Sequence, residues 1–216
     1  TELSDWVRAT LPEPVPWAIA SVNDAAAEKL HDWLAENLPG HSVRGISHSD
    51  CPIPIGVDEP QNVGVDRLMA CFAAFELCGS EPAVVIDAGT AATVDLLANG
   101  TFQGGAILPG MRMSASALDR YTDKLPYIET VEINAPQPIG KSTASAMKSG
   151  MFWGTVGAIR ELTERISQSI GARPRIFLTG GDGQTLAPHL SHTELVPHMV
   201  LRGIATTAAG SGFANG

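Results

Sequence analysis

The segment from Val84 to Asp95 places side chains that could do chemistry at the tip of a strand. It reads VVIDAGTAATVD: an apolar run ends at Asp87, passes through Gly89 and Thr90, and turns apolar again. A glycine lets backbone amides approach a phosphate, a threonine adds a hydroxyl donor, and a carboxylate can hold a cation that offsets the phosphate charge. The pattern predicts a phosphate-binding hairpin. An ordinary tight turn, in which aspartate and glycine are common, is the alternative.

A second chemically able pair lies at the start of the apolar segment 64–78. Asp66 and Arg67 are the only charged residues in its first two turns. Asp66 has the chemistry of a general base that takes a proton from an attacking hydroxyl, and Arg67 that of an anion clamp. An acidic residue in the first turn also stabilises a helix through its dipole without any catalytic role. The residues alone leave both interpretations open.

Two glycine-containing segments resemble nucleotide loops to different degrees. The segment 179–183 (TGGDG) follows a predicted strand, so its glycines could admit a nucleotide close to the backbone or could form a flexible turn. The segment 140–143 (GKST) matches the end of a P-loop, but Ala135 stands where the first glycine should be, and we exclude that motif. Thr143 is either a ligand contact or the cap of the following helix.

The composition limits the class of partner. The chain has 216 residues, of which 44% are hydrophobic, and a net charge of −9, which excludes nucleic acid and anionic membranes as expected partners. No apolar run approaches the roughly 18 residues of a membrane span, and we expect a cytoplasmic protein. Cys71 and Cys78 are expected to be reduced thiols in the core, and neither the three cysteines nor the six histidines show metal-ligand spacing.

Strands and helices alternate around these residues, which indicates an α/β protein. Strands are predicted at 17–22, 42–47, 83–87, 91–98, 102–108, 175–179 and 194–196. Helices are predicted from Asn23 to 38, at 64–78, 111–120 and 143–170, after 183, and from about 200 onward. The segment 143–170 is either one helix or two with a break at 150–157. The pair Asn99-Gly100 predicts a hairpin turn, so the sheet is not purely parallel.

In their order along the chain, these segments resemble the type III pantothenate kinases of the acetate-kinase, sugar-kinase, heat-shock-protein and actin superfamily. The matching segments are 64–67, 87–95, 104–110, 125–126, 140–143, 178–182 and 201–203. The resemblance implies an actin-like, ribonuclease-H-like ATPase fold with two similar mixed-sheet subdomains. In this chain they would be an N-terminal subdomain at 1–80, incomplete at its N-terminus, and an ATPase subdomain at 81–216.

The resemblance also implies an activity and its requirements. Family members phosphorylate pantothenate to 4′-phosphopantothenate with ATP, in the first step of coenzyme A biosynthesis. The implied cofactors are Mg²⁺ and a monovalent cation, K⁺ or NH₄⁺. Members of the family are homodimers whose substrate site lies at the subunit interface.

Site residues carry over from the matching motifs. Asp66 would be the catalytic base, and Asp87 would be the ligand of the monovalent cation. The implied substrate-binding residues are Gly64, Val65, Asp66, Arg67 and Thr143. The implied ATP-binding residues are Gly89, Thr90, Gly180 and Gly181.

One segment of the family pattern is missing. Family members open with a strand hairpin that bears Asp-x-Gly-Asn-Thr, a first phosphate loop, and no such stretch occurs in the 216 residues. Phosphoryl transfer depends on neutralising charge across the phosphates, so this loss should weaken catalysis. We expect a truncated chain or a mis-called gene start. A non-catalytic regulatory or accessory member, and a kinase or ATPase acting on another hydroxylated small molecule, are the alternatives.

Overall fold

The structure is a computed structural model, which describes residues 2–11, 13–129 and 134–210. The helices are α1 Glu2–Thr10, α2 Asp24–Asn37, α3 Val65–Cys78, α4 Met111–Arg120, α5 Thr143–Ile170, α6 Gly183–Leu186 and α7 Met199–Gly210. The strands are β1 Trp17–Ala20, β2 Val43–Ile46, β3 Ala83–Ala88, β4 Ala91–Ala98, β5 Thr101–Pro109, β6 Arg175–Thr179 and β7 Thr193–Leu195.

The main sheet is mixed, as the predicted hairpin requires. Its strand order is β5-β4-β3-β6-β7. The pairs β3–β4 and β4–β5 are antiparallel, whereas β6 and β7 run parallel to β3. Asn99 and Gly100 both have positive φ angles, the conformation that a two-residue hairpin turn demands. β1 and β2 form a separate two-stranded parallel sheet, and α2 is the helical connection between them.

The central strand β3 is apolar on both faces because helices cover both sides of the sheet. Val85 belongs to the core that includes α3 and α7, whereas Val84 and Ile86 belong to the core that includes α4 and α5. Such two-sided burial explains why β3 reads as a continuous apolar run rather than an alternating pattern. The carboxyl end of this strand is where the run stops and Asp87 begins.

Helices α3 and α7 pack closely at a glycine. A Cβ added at Gly203 would collide with the backbone carbonyl of Met69, so the two helix backbones approach each other more closely than a side chain would permit. The Leu-Arg-Gly segment of α7 therefore has a packing role. This contact fixes α3 against α7.

The predicted elements all occur, with ends that shift by a few residues. Asn23 caps α2 through its side chain, as predicted. The break considered at 150–157 does not occur, and α5 is one helix of 28 residues. A buried side that includes Phe152 and Val156 holds it together, since tertiary packing outweighs the low helix propensity of glycine.

Helix α1 was not predicted from the sequence. It brings Val7, which is fully buried, against Leu34 and Leu38 of the following segment. Cys71 and Cys78 are free thiols, as expected, but only Cys71 is buried in the core and Cys78 is partly buried. Among the described residues, no helix is both long and apolar enough to cross a lipid bilayer. The division into subdomains at residue 80 stays a prediction.

Candidate active site

The predicted phosphate hairpin and the predicted glycine turn lie side by side. Asp87 of β3 is the parallel register partner of Thr179 of β6, so both strands end at the same edge of the sheet. The Asp182 amide donates a hydrogen bond of 2.9 Å to the Ala88 carbonyl, which joins the two loops. Sequence spacing alone did not establish that these two loops meet.

Gly180 is required by the close approach of the two loops. Its φ of +93° favours glycine, and an added Cβ would collide with the Ala88 carbonyl and with Oδ1 of Asp87. By contrast, no atom lies within 4 Å of a Cβ added at Gly181, which is exposed. Packing therefore explains the glycine at position 180 and leaves the glycine at position 181 without a structural explanation.

The hairpin between β3 and β4 is a tight turn with an open surface. The Gly89 amide donates to the Ala91 carbonyl at 3.0 Å, and the Thr90 side chain is exposed. A Cβ at Gly89 would make only ordinary contacts of 3.6 Å or more. The segment is thus a well-formed tight turn, which was the alternative interpretation of the sequence. It also exposes the Thr90 hydroxyl to solvent and leaves space around Gly89.

The start of α4 packs against this hairpin. The Gly110 amide donates to the Thr90 carbonyl at 3.1 Å, and a Cβ at Gly110 would collide with the Gly89 carbonyl. Burial raises the pKa of Asp182, an effect that the charge of Arg112 partly offsets. Gly110, Arg112 and Asp182 received no role from the sequence. Gly110 and Asp182 lie inside matching motifs, and this position was the only sequence signal that could have indicated them.

Asp66 lies in the first turn of α3, at the rim of the same region. The helix is capped at Gly64, and Oδ1 of Asp66 accepts a 2.8 Å hydrogen bond from the Arg67 amide. A Cβ at Gly64 would lie only 2.5 Å from that oxygen, so the glycine leaves room for the carboxylate. The side chain of Asp66 is partly buried.

Arg67 makes a buried ion pair that the sequence did not predict. Its Nε lies 3.1 and 3.2 Å from the two carboxylate oxygens of Asp95, and its Nη2 also bonds to Asp95. The Asp95 side chain is only 2% exposed, and the guanidinium lies 5.4 Å from the ring centre of Phe102. Although burial opposes the charge of Arg67, its bonds to Asp95 raise the pKa of the guanidinium. Arg67, which the sequence suggested as an anion clamp, therefore binds the carboxylate of Asp95 in this structure.

Three carboxylates share this end of the sheet. Burial raises the pKa of Asp87, and the negative charges of Asp66 and Asp95 raise it further. Burial also raises the pKa of Asp95, although the hydrogen bonds from Arg67 offset part of that effect. The described residues include no group of three or more histidine, cysteine or acidic side chains with the geometry of a metal site.

Thr143 is the first residue of α5 and is exposed. The side chain of Ser142 caps the helix by accepting from the Ser145 amide, so the alternative in which Thr143 is the cap is wrong. A cavity of 860 Å³ opens beside the start of α3, where its walls include Gly64, Val65 and His48.

Comparisons with known proteins add to this geometry. Residues 1–165 match the family model described as type III pantothenate kinase. A type III pantothenate kinase of Rhodopirellula baltica is 37% identical over 194 residues, which cover 86% of this chain and 69% of that protein. The corresponding protein of Alkalilimnicola ehrlichii is 33% identical over 212 residues, covering 96% and 84%.

Solved structures support the fold. A Campylobacter jejuni protein described as a Baf family transcriptional activator aligns with a TM-score of 0.63 at 24% identity, covering 92% of this chain and 84% of that one. A 2-dehydro-3-deoxygalactonokinase protein from Sinorhizobium meliloti gives 0.54 at 13% identity, covering 92% and 98%. MreB5 of Spiroplasma citri bound to ADP gives 0.51 at 10% identity, covering 99% and 75%. The α/β, actin-like ATPase fold expected from the sequence is confirmed.

The ion pair between Arg67 and Asp95 should contribute strongly to stability. Asp95→Asn leaves the buried guanidinium without its counter-charge, and we expect the free energy of unfolding to fall by about 3–5 kcal/mol. Urea unfolding followed by circular dichroism measures this change. As the matched control, Glu161→Gln breaks an exposed ion pair with Arg165 and should cost under about 0.5 kcal/mol. Equal effects of the two substitutions would contradict the structural role of the buried pair.

Proposed function

Because the chain belongs to the type III pantothenate kinase family, we propose that it transfers the γ-phosphoryl group of ATP to the primary hydroxyl of pantothenate. The product, 4′-phosphopantothenate, belongs to the first step of coenzyme A biosynthesis. One observation supports locating the proposed kinase activity at this site. The hairpin of β3 and β4, the glycine turn after β6 and the acidic start of α3 converge at one end of the sheet.

Each of these three parts has a role that its chemistry supports. Asp66 would take the proton of the pantothenate hydroxyl as that oxygen attacks phosphorus, since a partly buried carboxylate can act as a general base. Gly89 and the exposed hydroxyl of Thr90 would bind phosphate oxygens of ATP. The segment with Gly180 and Gly181 would lie against the nucleotide, and the open space at Gly181 supports close approach of a ligand to the backbone.

Pantothenate would bind beside the start of α3. Gly64 and Val65 line the 860 Å³ cavity there, and Arg67 is fixed next to Asp66 by its bonds to Asp95. Thr143 would contribute its exposed hydroxyl from the start of α5. Oriented side chains of this kind lower the barrier by holding the hydroxyl and the phosphate in a reactive geometry.

Asp87 fits the proposed role of ligand to a monovalent cation. Its carboxylate is buried beside two further acidic side chains, so a bound K⁺ or NH₄⁺ would offset negative charge that burial makes costly. A monovalent cation supplies positive charge near the phosphates of ATP. Mg²⁺ usually binds through one or two carboxylates together with substrate phosphates, and the described residues offer no larger protein cage for it.

The first test of the function is product formation by this chain. Incubation with pantothenate, ATP, magnesium and potassium should yield 4′-phosphopantothenate, detected by mass spectrometry. Asp66→Asn should lower kcat by on the order of 100- to 10,000-fold, because it removes the base, while pantothenate binding measured by calorimetry persists. The exposed Asp119→Asn serves as the control and should retain activity. Binding of pantothenate without turnover, both by this chain and by a version extended to the upstream start codon, would favour a non-catalytic member of the family.

The cation role of Asp87 predicts a specific loss. The unsubstituted chain should be activated by K⁺ at constant ionic strength, with tetramethylammonium as the replacement ion. Asp87→Asn should remove that activation because the amide carries no charge to attract the cation. The measurement is the initial rate as a function of KCl concentration, with Asp119→Asn as the control. Undiminished activation of Asp87→Asn would place the cation elsewhere.

We further propose that the chain forms a homodimer through one face of α5. Gly150, Gly154 and Gly157 recur at helical spacing and are exposed, and no atom lies within 4 Å of a Cβ added at any of them. Glycines on a helix face permit close approach of a second backbone. Thr143 lies at the start of this helix, which fits a substrate site near the interface.

A bulky charge on this face should prevent association. Gly154→Arg should yield monomers in size-exclusion chromatography with light scattering, whereas the unsubstituted chain gives dimers. Thr206→Arg places the same side chain on an exposed position of α7 and should leave the dimer intact. A dimeric Gly154→Arg protein would show that another surface forms the interface.

A further inference from the structure

An exposed apolar side chain lies in the same row of the sheet as the proposed cation ligand. Asp87 of β3 pairs with Thr93 of β4, and Thr93 in turn pairs with Ile107 of β5. Directly paired residues of antiparallel strands point to the same face of the sheet. Ile107 is nevertheless 63% exposed, although it is a large hydrophobic residue in a regular strand.

This face of the sheet is the one that meets the start of α3. Asp95 follows Thr93 by two residues and therefore shares its face, and Asp95 holds Arg67 of α3. Ile107 thus lies on the side of the sheet from which Asp66 approaches. Two strand spacings of about 4.8 Å separate Ile107 from Asp87, a span of about 10 Å that a small elongated substrate can bridge.

In the neighbouring row of the sheet, β5 carries no side chain beside Ile107. Gly105 pairs with Asp95, and a Cβ at Gly105 would lie 2.5 Å from Oδ1 of that carboxylate. The floor next to Ile107 therefore consists of a side-chain-free position and a carboxylate that is already engaged by Arg67. Ile107 is the exposed apolar side chain beside these two residues.

The inference that follows rests on the proposed function and specifies part of its substrate site. Pantothenate carries two methyl groups on the carbon adjacent to the one that bears its primary hydroxyl, whereas the rest of the molecule is largely polar. We propose that Ile107 contacts these two methyl groups and makes the enzyme selective for them. An apolar contact close to the reacting hydroxyl also orients that hydroxyl toward Asp66.

The test compares pantothenate with its analogue in which both methyl groups are replaced by hydrogen. Ile107→Ala should lower kcat/KM for pantothenate about 10-fold or more, mainly through KM, since each lost apolar contact of methyl size weakens binding by about that factor. The same substitution should change kcat/KM for the analogue, and KM for ATP, by less than about twofold because the analogue has no methyl groups to contact Ile107. Ile107→Val should keep most of the selectivity.

A matched control and the possible outcomes make the test decisive. Leu77 is another exposed apolar residue, 41% exposed, and lies eleven residues after Asp66 on α3, about 16 Å along the helix. Leu77→Ala should leave both substrates unaffected. If neither this chain nor its version extended to the upstream start codon phosphorylates pantothenate, the proposed function fails and this inference fails with it.

If either version is active, two outcomes would overturn the role of Ile107 alone. The first is an equal effect of Ile107→Ala on both substrates, which includes no effect on either. The second is a change in the mass of the particle by light scattering, which would assign Ile107 to a subunit contact. Thermal unfolding of Ile107→Ala and Ile107→Val at the same temperature as the unsubstituted chain confirms that all three fold alike.

Discussion

The ion pair between Arg67 and Asp95 is the interaction on which the geometry of the site depends. A charge buried without a partner costs several kcal/mol, so the arginine at the start of α3 and the carboxylate on β4 constrain one another. Because both Nε and Nη2 bond to the carboxylate, the orientation of the helix start is fixed as well as its distance. Because Asp66 directly precedes Arg67 in the first turn of α3, the ion pair also fixes the position of Asp66. A helix attached only by its apolar face could rotate or slide by fractions of a turn.

A second constraint is the close approach of backbones at the end of the sheet. Gly110 and Gly180 each occupy a place where a Cβ would strike the backbone of the hairpin between β3 and β4. Gly110 therefore brings the start of α4 into direct contact with Gly89 and Thr90, and Gly180 brings the turn after β6 into direct contact with Ala88. The loops are positioned by the rigid ends of strands and a helix, which is how folds of this class present ligand-binding segments.

Much of the fold was predictable from local pattern, and the site less so. The apolar run of β3, the Asn99-Gly100 turn and the buried helix α3 have strong signals within a few residues, and all three were predicted correctly. The ion pair between Arg67 and Asp95 joins residues that are 28 positions apart in the sequence. The register pair of Asp87 and Thr179 joins residues that are 92 positions apart. No periodicity encodes such long-range pairs. Helix α1 was missed because a short amphipathic segment is marginal by itself and gains stability only from tertiary packing of residues such as Val7.

The face of the sheet that carries the site contains several arrangements that stability alone does not favour. Asp66, Asp87 and Asp95 repel one another in a partly buried region that holds one bonded arginine, and Ile107 leaves most of its apolar surface in water on the same face. Chains tend to violate the rules of packing and charge pairing where a ligand completes the structure. A cation and phosphates at Asp87, together with an apolar group at Ile107, would relieve both kinds of cost at once. The acidic cluster and the exposed isoleucine are then two sides of one binding site, which accommodates a charged donor at the strand tips and a partly apolar acceptor across the sheet.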